Sequence, residues 1–205
     1  MKEASKASDQ FDAEVVRGAG MAEVMEAPYF VYEFECVGPD GVVKWRDTIK
    51  NLVTTEGKKD ILDQYFGTGA AGTAPAAIYL GLISADSYTA VAVGDTAGGI
   101  NGANGWKEAN SSTFNPVYTG SRKAMIAAFS AASGTTTVTK SASAQAFAIV
   151  TTGGTVKGAF IIAGGSATTG NTTGKLYSAG VFTGGDKIVA PLDTLNVTAS
   201  VLMAA

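Results

Sequence analysis

Histidine is absent from this sequence of 205 residues, and cysteine occurs once, at Cys36. Without histidine, neither a Ser-His-Asp triad nor a Cys-His pair can be built, so most hydrolase mechanisms are excluded. The usual zinc ligand sets are excluded for the same reason. A single cysteine cannot form an internal disulfide bond. An enzyme with this sequence would have to depend on carboxylates or on lysine.

Charge of either sign is also scarce, because Asp, Glu, Lys and Arg make up only 16% of the residues. Lys and Arg number 15 against 18 for Asp and Glu, and they are scattered, so there is no basic footprint for a nucleic acid. No apolar run approaches the roughly 18 residues of a membrane-spanning helix, and no basic-then-apolar signal pattern begins the chain. We therefore expect no nucleic-acid partner, no membrane partner, and synthesis and assembly in a cytoplasm.

Glycine is abundant, with 26 residues, and alanine and threonine are plentiful. This composition favours turn-rich β structure over a helical bundle. After residue 120, short strand patterns recur about every ten residues between glycine-rich turns. The strands predicted there are Arg122–Phe129, Thr135–Lys140, Gln145–Thr151, Val156–Ala163, Lys175–Phe182 and Thr194–Leu202. The sequence predicts an all-β fold, mainly an antiparallel sandwich of the jelly-roll type with eight or nine strands.

A hairpin and a buried strand are predicted earlier in the chain. Residues 29–37 alternate aromatic and polar side chains, which is typical of a strand with one buried face. Pro39-Asp40-Gly41 is a turn signal, and residues 42–49 return as a second strand. Residues 77–83 form a nearly all-apolar run, short enough for a buried strand.

One amphipathic α-helix is predicted near residues 54–66. Thr54 or Thr55 can cap its start, and Gly67 is a natural residue for a left-handed stop. A helix this short is marginal in water, so we expect its apolar stripe to rest on the neighbouring strands. The stripe consists of Ile61, Leu62, Tyr65 and Phe66.

Residues 1–27 differ in composition from the rest of the chain. The remaining residues, 28–205, have a length that suits one β-sandwich domain. The segment is interpreted either as a frayed terminus or as an arm that becomes ordered on a neighbouring subunit. Short helical stripes in it, broken by Gly18 and Gly20, contain the apolar residues Phe11, Val15, Val16, Val24 and Met25. Of these, Phe11, Val15 and Val16 are candidate contact residues.

Residues 84–120 form a long stretch with little periodicity. An ordered loop of this length is commonly a contact surface. Its large aromatic side chains are candidate interface anchors, since such side chains contribute much of the binding energy at interfaces. They are Trp106, Phe114 and Tyr118. The alternative is that these side chains pack the loop onto the body.

The sequence offers little that resembles catalytic or ligand-binding chemistry. The nearest approach to a nucleophile elbow, Leu176 to Gly180, lacks its first glycine and has no base, and no phosphate-binding loop is present. Glu33 and Glu35 lie on the same face of a predicted strand. Exposure of that face to solvent explains both side chains without a catalytic role. Asp86, Asp95, Asp186 and Asp193 could pair as glycosidase acids, but all lie in turns or loops, where Asp is favoured for backbone reasons. A calcium site in the Gly-Asp-rich loops is an alternative, although no loop has the alternating spacing of acidic ligands that calcium-binding loops show. We predict no catalytic, cofactor-binding or metal-binding residues.

Several blocks occur in an order that resembles one group of proteins. They are KNLVTTEGKKDILDQYFG (50–67), AIYLGLI (77–83), Gly105-Trp106, LYSAGVFTGGDKIV (176–189) and DTLNVTASV (193–201). Together they resemble the structural proteins of tailed-bacteriophage virions over roughly residues 30–200.

This resemblance implies a capsid decoration or cement protein that binds the outer shell of a phage particle. Its partners would be the major capsid protein or other virion proteins, and further copies of itself as a dimer or trimer. The protein would then reside in the virion. A neck, collar or tail fibre-base or adaptor subunit is the alternative, and a carbohydrate-binding or depolymerising tail module is a third.

Overall fold

The computed structural model of the protein describes residues 28–67, 75–111, 113–135 and 137–204. The predictions for residues 1–27, including Phe11, Val15 and Val16, lie outside these ranges. The described strands are β1 (Tyr29–Val37), β2 (Val43–Val53), β3 (Ile78–Ser84), β4 (Lys107–Glu108), β5 (Lys123–Ala124), β6 (Thr137–Ser141), β7 (Gln145–Ala148), β8 (Gly154–Ala163), β9 (Lys175–Val181), β10 (Lys187–Val189) and β11 (Thr194–Ala204). The helix is α1 (Thr55–Phe66). All the strand pairs are antiparallel, so the predicted fold class is confirmed.

The predicted hairpin is present, because β1 and β2 pair along their lengths. Its turn is closed by the Gly41 amide, which donates to the Gly38 carbonyl at 3.0 Å, and Gly41 has a φ of +78°. A left-handed φ of this kind favours glycine. In β1, Tyr32 and Phe34 are buried while Glu33 is exposed, as the alternating pattern indicates.

The strands form two sheets that share β2. Sheet I has the order β2-β1-β11, with β6 and β7 both pairing with the far side of β11. Sheet II has the order β2-β9-β8-β3, with β10 pairing with β8 and with β4 and β5 on the far side of β3. Leu52 and Val53, at the end of β2, pair with β9 and so join the sheets.

The far edges of the two sheets are joined as well. Residues 117–119, between β4 and β5 in the chain, pair with the segment that continues β7. The Thr119 amide donates to the Ala148 carbonyl at 2.9 Å, and the Val150 amide donates to the Val117 carbonyl at 3.0 Å. These bonds satisfy backbone groups that would otherwise form open strand edges.

The main hydrophobic core lies between the two sheets. Both contribute large side chains to it, among them Tyr32, Phe34, Leu80, Leu82, Phe147, Ile161, Leu195 and Val197. The Phe147 ring packs edge-to-face against Tyr118 with a centroid separation of 4.9 Å. Truncating one such buried aromatic to alanine typically costs about 3–5 kcal/mol.

Helix α1 begins where β2 ends and packs on β9. Thr54 caps it, since its hydroxyl accepts a hydrogen bond from the Gly57 amide at 3.1 Å. A Cβ on Gly57 would lie 2.7 Å from the Cα of Tyr177, so only glycine allows the helix to approach the strand this closely. The predicted start of the helix is confirmed.

Two expectations for α1 were wrong. Gly67 has a φ of −65° and an extended conformation, so the chain leaves the helix without a left-handed turn. The apolar stripe is also not fully covered, because Leu62 is 56% and Phe66 81% exposed while Ile61 packs on the core. The helix turns only a narrow side towards the body, since it lies over a single strand.

Some predicted strand bounds differ from those observed. Within the predicted strand 122–129, only Lys123–Ala124 pairs in a sheet, and a 3₁₀ turn follows at 126–128. The short strand β10 was not predicted, because the strand that follows the glycine-rich turn has only three residues. Among the described residues, no helix is long and apolar enough to cross a membrane.

Candidate functional site

The outer face of sheet II is covered by the chain segment 84–111, which we call the loop layer. Phe160 and Ile162 of β8 and Ile83 of β3 point away from the main core and are fully buried. With side chains from the loop layer they form a second apolar cluster, whose buried members are Ile83, Ala97, Ile100, Trp106, Phe160, Ile162, Leu176 and Ala179. Sheet II is therefore buried on both faces, as the apolar sequences of β3 and β8 require.

Trp106 fixes the loop layer to the sheet. Its ring packs against Phe160 with a centroid separation of 5.2 Å, and its indole N–H donates to Asp95 Oδ2 at 2.8 Å. The same carboxylate oxygen accepts the Ala92 amide at 2.9 Å and so closes a turn of the loop. A buried tryptophan usually needs a partner for its N–H, and here Asp95 provides one.

The loop layer is also bonded to the start of α1. Glu56 Oε2 accepts the Ala97 amide at 2.8 Å and the Leu176 amide of β9 at 2.7 Å. The Thr55 amide donates to the Val93 carbonyl at 2.8 Å. One carboxylate thus holds the loop, the helix and the sheet together at the end of the helix where negative charge is favoured.

A buried ion pair fixes the other end of the loop layer. Arg122 Nε and Nη2 donate to the two carboxylate oxygens of Glu108 at 2.8 and 2.7 Å, and both side chains are 0% exposed. Arg122 also donates to the Ser166 and Asn171 carbonyls, and Glu108 accepts the Gly170 amide at 2.6 Å. These bonds connect β4, the approach to β5 and the 166–171 loop. A buried pair with this many partners is strongly coupled to the surrounding structure.

The exposed residues between positions 87 and 106 of the loop layer carry no charge. Asp95 is the one charged residue in the segment 87–106, and it is buried under Trp106. The exposed residues of this segment, which we call the platform, are Ser87, Thr89, Ala90, Ala92, Val93, Gly94, Thr96, Gly98, Gly102 and Ala103. The platform consists of residues with small side chains. Trp106, Glu56 and the Arg122–Glu108 pair lie beneath it and hold it in place.

The aromatic residues predicted as interface anchors lie in three different environments. Trp106 is fully buried in the second cluster, and Tyr118 is buried against Phe147 in the main core. Phe114 is half-buried and lies 6.0 Å from the Lys107 ammonium. For Trp106 and Tyr118 the structure supports the alternative interpretation, in which the rings pack the loop onto the body. The structure does not bring the three side chains together.

Apart from Trp106, the residues that hold the loop layer do not stand out in the sequence. Arg122 and Glu108 are 14 residues apart and flank a loop, so no helical or strand spacing relates them. Asp95 was identified only as a turn residue. Their pairing depends on how the chain folds back over sheet II, and no local pattern records that path.

The single cysteine lies in a polar group at one end of sheet I. Cys36 is buried, and its thiol donates to Asp193 Oδ2 at 3.7 Å. Burial, together with the negative charge of Asp193, raises the pKa of the Cys36 thiol to about 11. Lys44 Nζ donates to both oxygens of Asp193 at 2.7 and 2.9 Å. The thiol is therefore protonated at neutral pH and is a poor nucleophile.

The four aspartates considered as catalytic acids each have local structural partners. Asp86 accepts the Asn115 amide at 2.7 Å, Asp95 the Ala92 amide, and Asp193 the Ala190 amide at 2.8 Å. Asp186 pairs with Lys157. Within the part of the chain that the structure describes, no group of three or more acidic or cysteine side chains could hold a metal ion.

No protein-family model, no curated protein and no solved structure matches this chain. The functional conclusion therefore depends on the residues themselves.

Proposed function

We propose that the protein is a structural subunit of a bacteriophage particle, a capsid decoration or cement protein that stabilises the outer shell through protein–protein contacts. The observation that carries this proposal is the platform, an uncharged surface held in place by the Trp106–Asp95 and Ala97–Glu56 hydrogen bonds and by the buried Arg122–Glu108 pair. Interface cores are depleted in charged residues, and a surface that is already ordered loses little entropy on binding. The resemblance of the sequence blocks to virion proteins supports the same class.

The platform would form part of such a contact. It has ten exposed residues, and a stable interface uses roughly 20–30 residues and about 800 Å² on each partner, so neighbouring surface would contribute as well. The proposed partner is the major capsid protein or another virion protein. Because positions on a particle are related by symmetry, the proposal includes self-association as a dimer or trimer.

The proposal assigns the protein a role in contact and none in catalysis. The one thiol is buried and its pKa is raised to about 11, and the four candidate aspartates hold turns or surface ion pairs. These side chains have structural partners that account for their positions. A depolymerising module would require an acid pair facing a cleft, and a carbohydrate-binding one a wall of aromatic side chains, whereas each of these aspartates is bonded to a local structural partner.

Two lysine variants test the platform as the contact surface. Val93 is 45% exposed on the platform, and Thr48 is exposed on the outer face of sheet I opposite Glu33. Labelled wild-type protein should bind shells stripped of it in a saturable manner. Val93→Lys should weaken this binding at least about tenfold, because a buried unpaired charge is costly at an interface. Thr48→Lys adds the same charge elsewhere and should leave binding unchanged.

Equal binding by both variants, or equal loss by both, would exclude the platform as the contact surface. Wild-type protein that does not bind shells would contradict the proposed function. The copy number in purified virions separates the decoration role from the neck or tail alternative. A shell protein should be present in on the order of hundreds of copies, and a neck or tail subunit in a small multiple of three or six.

A further inference from the structure

An apolar groove lies at the end of the molecule where the described chain begins. Its volume is 440 Å³, within the range of pockets that bind ligands. Its walls are the ends of β1 and β11, helix α1 and the hairpin of residues 129–142. The apolar side chains that line these walls include Phe30, Ile61, Phe129, Val138, Val201 and Met203.

The groove leaves apolar surface open to solvent. Met203 is 52% and Val138 40% exposed, although both lie beside buried core residues such as Phe30. Covering apolar surface of this kind is favourable by roughly 25 cal/mol per Å². The groove is therefore suited to an apolar segment of chain.

We propose that the groove is occupied by the amino-terminal segment of the same chain, through the apolar residues of its stripes. Pro28, the first described residue, itself lines the groove, so residues 1–27 are tethered at its edge. Met25 and Val24 lie three and four residues before Pro28, and Phe11, Val15 and Val16 lie further out. A tether this short gives an effective concentration of roughly millimolar, which favours binding within one chain.

Charge supports this occupant. Among the described residues that line the groove, Lys140 is the only charged one, and it lies at the wall formed by the 129–142 hairpin. Residues 1–27 carry more acidic than basic side chains: Glu3, Asp9, Asp12, Glu14, Glu23 and Glu26 against Lys2, Lys6 and Arg17. The acidic segment and the lysine-bearing wall are complementary. Residues 68–74, which also precede a groove residue, are only Gly, Ala and Thr and offer no large apolar side chain.

Disulfide capture in the full-length chain tests the proposal. The variant Val15→Cys/Val138→Cys places one thiol in the segment and one in the groove. The matched control is Val15→Cys/Val42→Cys, because Val42 is 60% exposed at the opposite end of β1. Val15 is 13 residues from Pro28 and can reach about 43 Å, while β1 spans about 30 Å, so a freely moving segment could reach both sites.

We expect the groove pair to form an intramolecular disulfide at least about tenfold faster than the control pair. It should also form at least about tenfold faster than the same groove pair in a chain that carries Phe11→Ser, Val16→Ser, Val24→Ser and Met25→Ser, which keeps the tether and removes the apolar side chains. Both changed body positions are well exposed, so folding should tolerate them, and Val15→Cys/Met203→Cys provides a second groove pair. The buried native Cys36 is present in every variant and should not compete. Equal rates for the groove pair with and without these four changes would overturn the proposal, because a freely moving tethered segment also favours the nearer site. A covalent dimer as the main product would also overturn it, since the occupant would then come from a second copy.

Discussion

The outer faces of the two sheets differ in what covers them. On sheet I, Glu33, Glu35 and Arg46 lie at the surface, and the sheet needs no further layer. On sheet II, Phe160 and Ile162 are covered by the loop layer. An alternating strand needs one partner, whereas a strand that is apolar on both faces needs two. The long irregular segment 84–111 is therefore a structural layer whose outer surface is exposed.

The two faces also differ in how their charges are used. The Arg46–Glu35 pair on sheet I is exposed, and such pairs contribute about 0–1 kcal/mol. The Arg122–Glu108 pair beneath the loop layer is fully buried, and breaking a pair of this kind typically costs about 3–5 kcal/mol. Similar chemical pairs thus have very different structural roles.

The largest expected effect comes from breaking the buried pair. Arg122→Met should lower the free energy of unfolding by about 3–5 kcal/mol, because it leaves the Glu108 carboxylate buried without its cation. Urea denaturation followed by circular dichroism measures this change. The matched control Arg46→Met, on sheet I, should lower it by less than about 1 kcal/mol.

A double variant identifies the source of that cost. Arg122→Met/Glu108→Leu removes both charges, so it should recover part of the stability lost in Arg122→Met. Recovery should be incomplete, because the Ser166 and Asn171 carbonyls and the Gly170 amide lose their partners. A loss below about 1 kcal/mol in Arg122→Met would show that the loop layer does not depend on the pair.

A smaller effect on stability is expected when acid protonates the Asp193 carboxylate. Burial alone would raise the pKa of the Asp193 carboxyl, but hydrogen bonds from Lys44 and the Ala190 amide outweigh it and hold that pKa below its ordinary value. A depressed pKa in the folded state adds stability above the ordinary aspartate pKa of about 3.9, and this is lost as the pH falls through the folded pKa. The hydrogen bond from Lys187 depresses the pKa of Asp47 in the same direction.

Unfolding experiments between pH 7 and pH 2 measure this contribution. Asp193→Asn should be less stable than the wild type by about 1–3 kcal/mol at pH 7, since it loses charge-assisted hydrogen bonds. The difference between the two proteins should shrink as the pH falls below about 4. A difference that is constant over this range would show that the Asp193 charge does not contribute.

Much of the fold follows from local sequence patterns. The alternation in residues 29–37, the Gly41 turn and the apolar runs of β3 and β8 each predict their elements, because strand period and turn chemistry act over a few residues. The cap at Thr54 is equally local. These features specify where strands and the helix occur.

The loop layer could not be predicted in the same way. Its sequence has no periodic pattern of apolar residues. The bonds that hold it join residues distant in sequence, such as Glu56 with Ala97 and Arg122 with Glu108. The sequence indicated that Trp106 was important but could not show whether its ring faces a partner or the sheet. That distinction depends on Phe160, which lies more than 50 residues away in the chain and is buried under the loop.

The smallest expected effect is on the solvated face of sheet I. Glu33→Thr should change the free energy of unfolding by no more than about 0.5 kcal/mol, since Glu33 is exposed and threonine suits a strand surface. Its matched change, Ile162→Thr, introduces the same residue under the loop layer. It should cost at least about 2 kcal/mol, because it removes buried apolar volume and buries a hydroxyl. Equal costs in urea denaturation would mean that the loop layer does not shield sheet II from water, and the comparison between the two faces would fail.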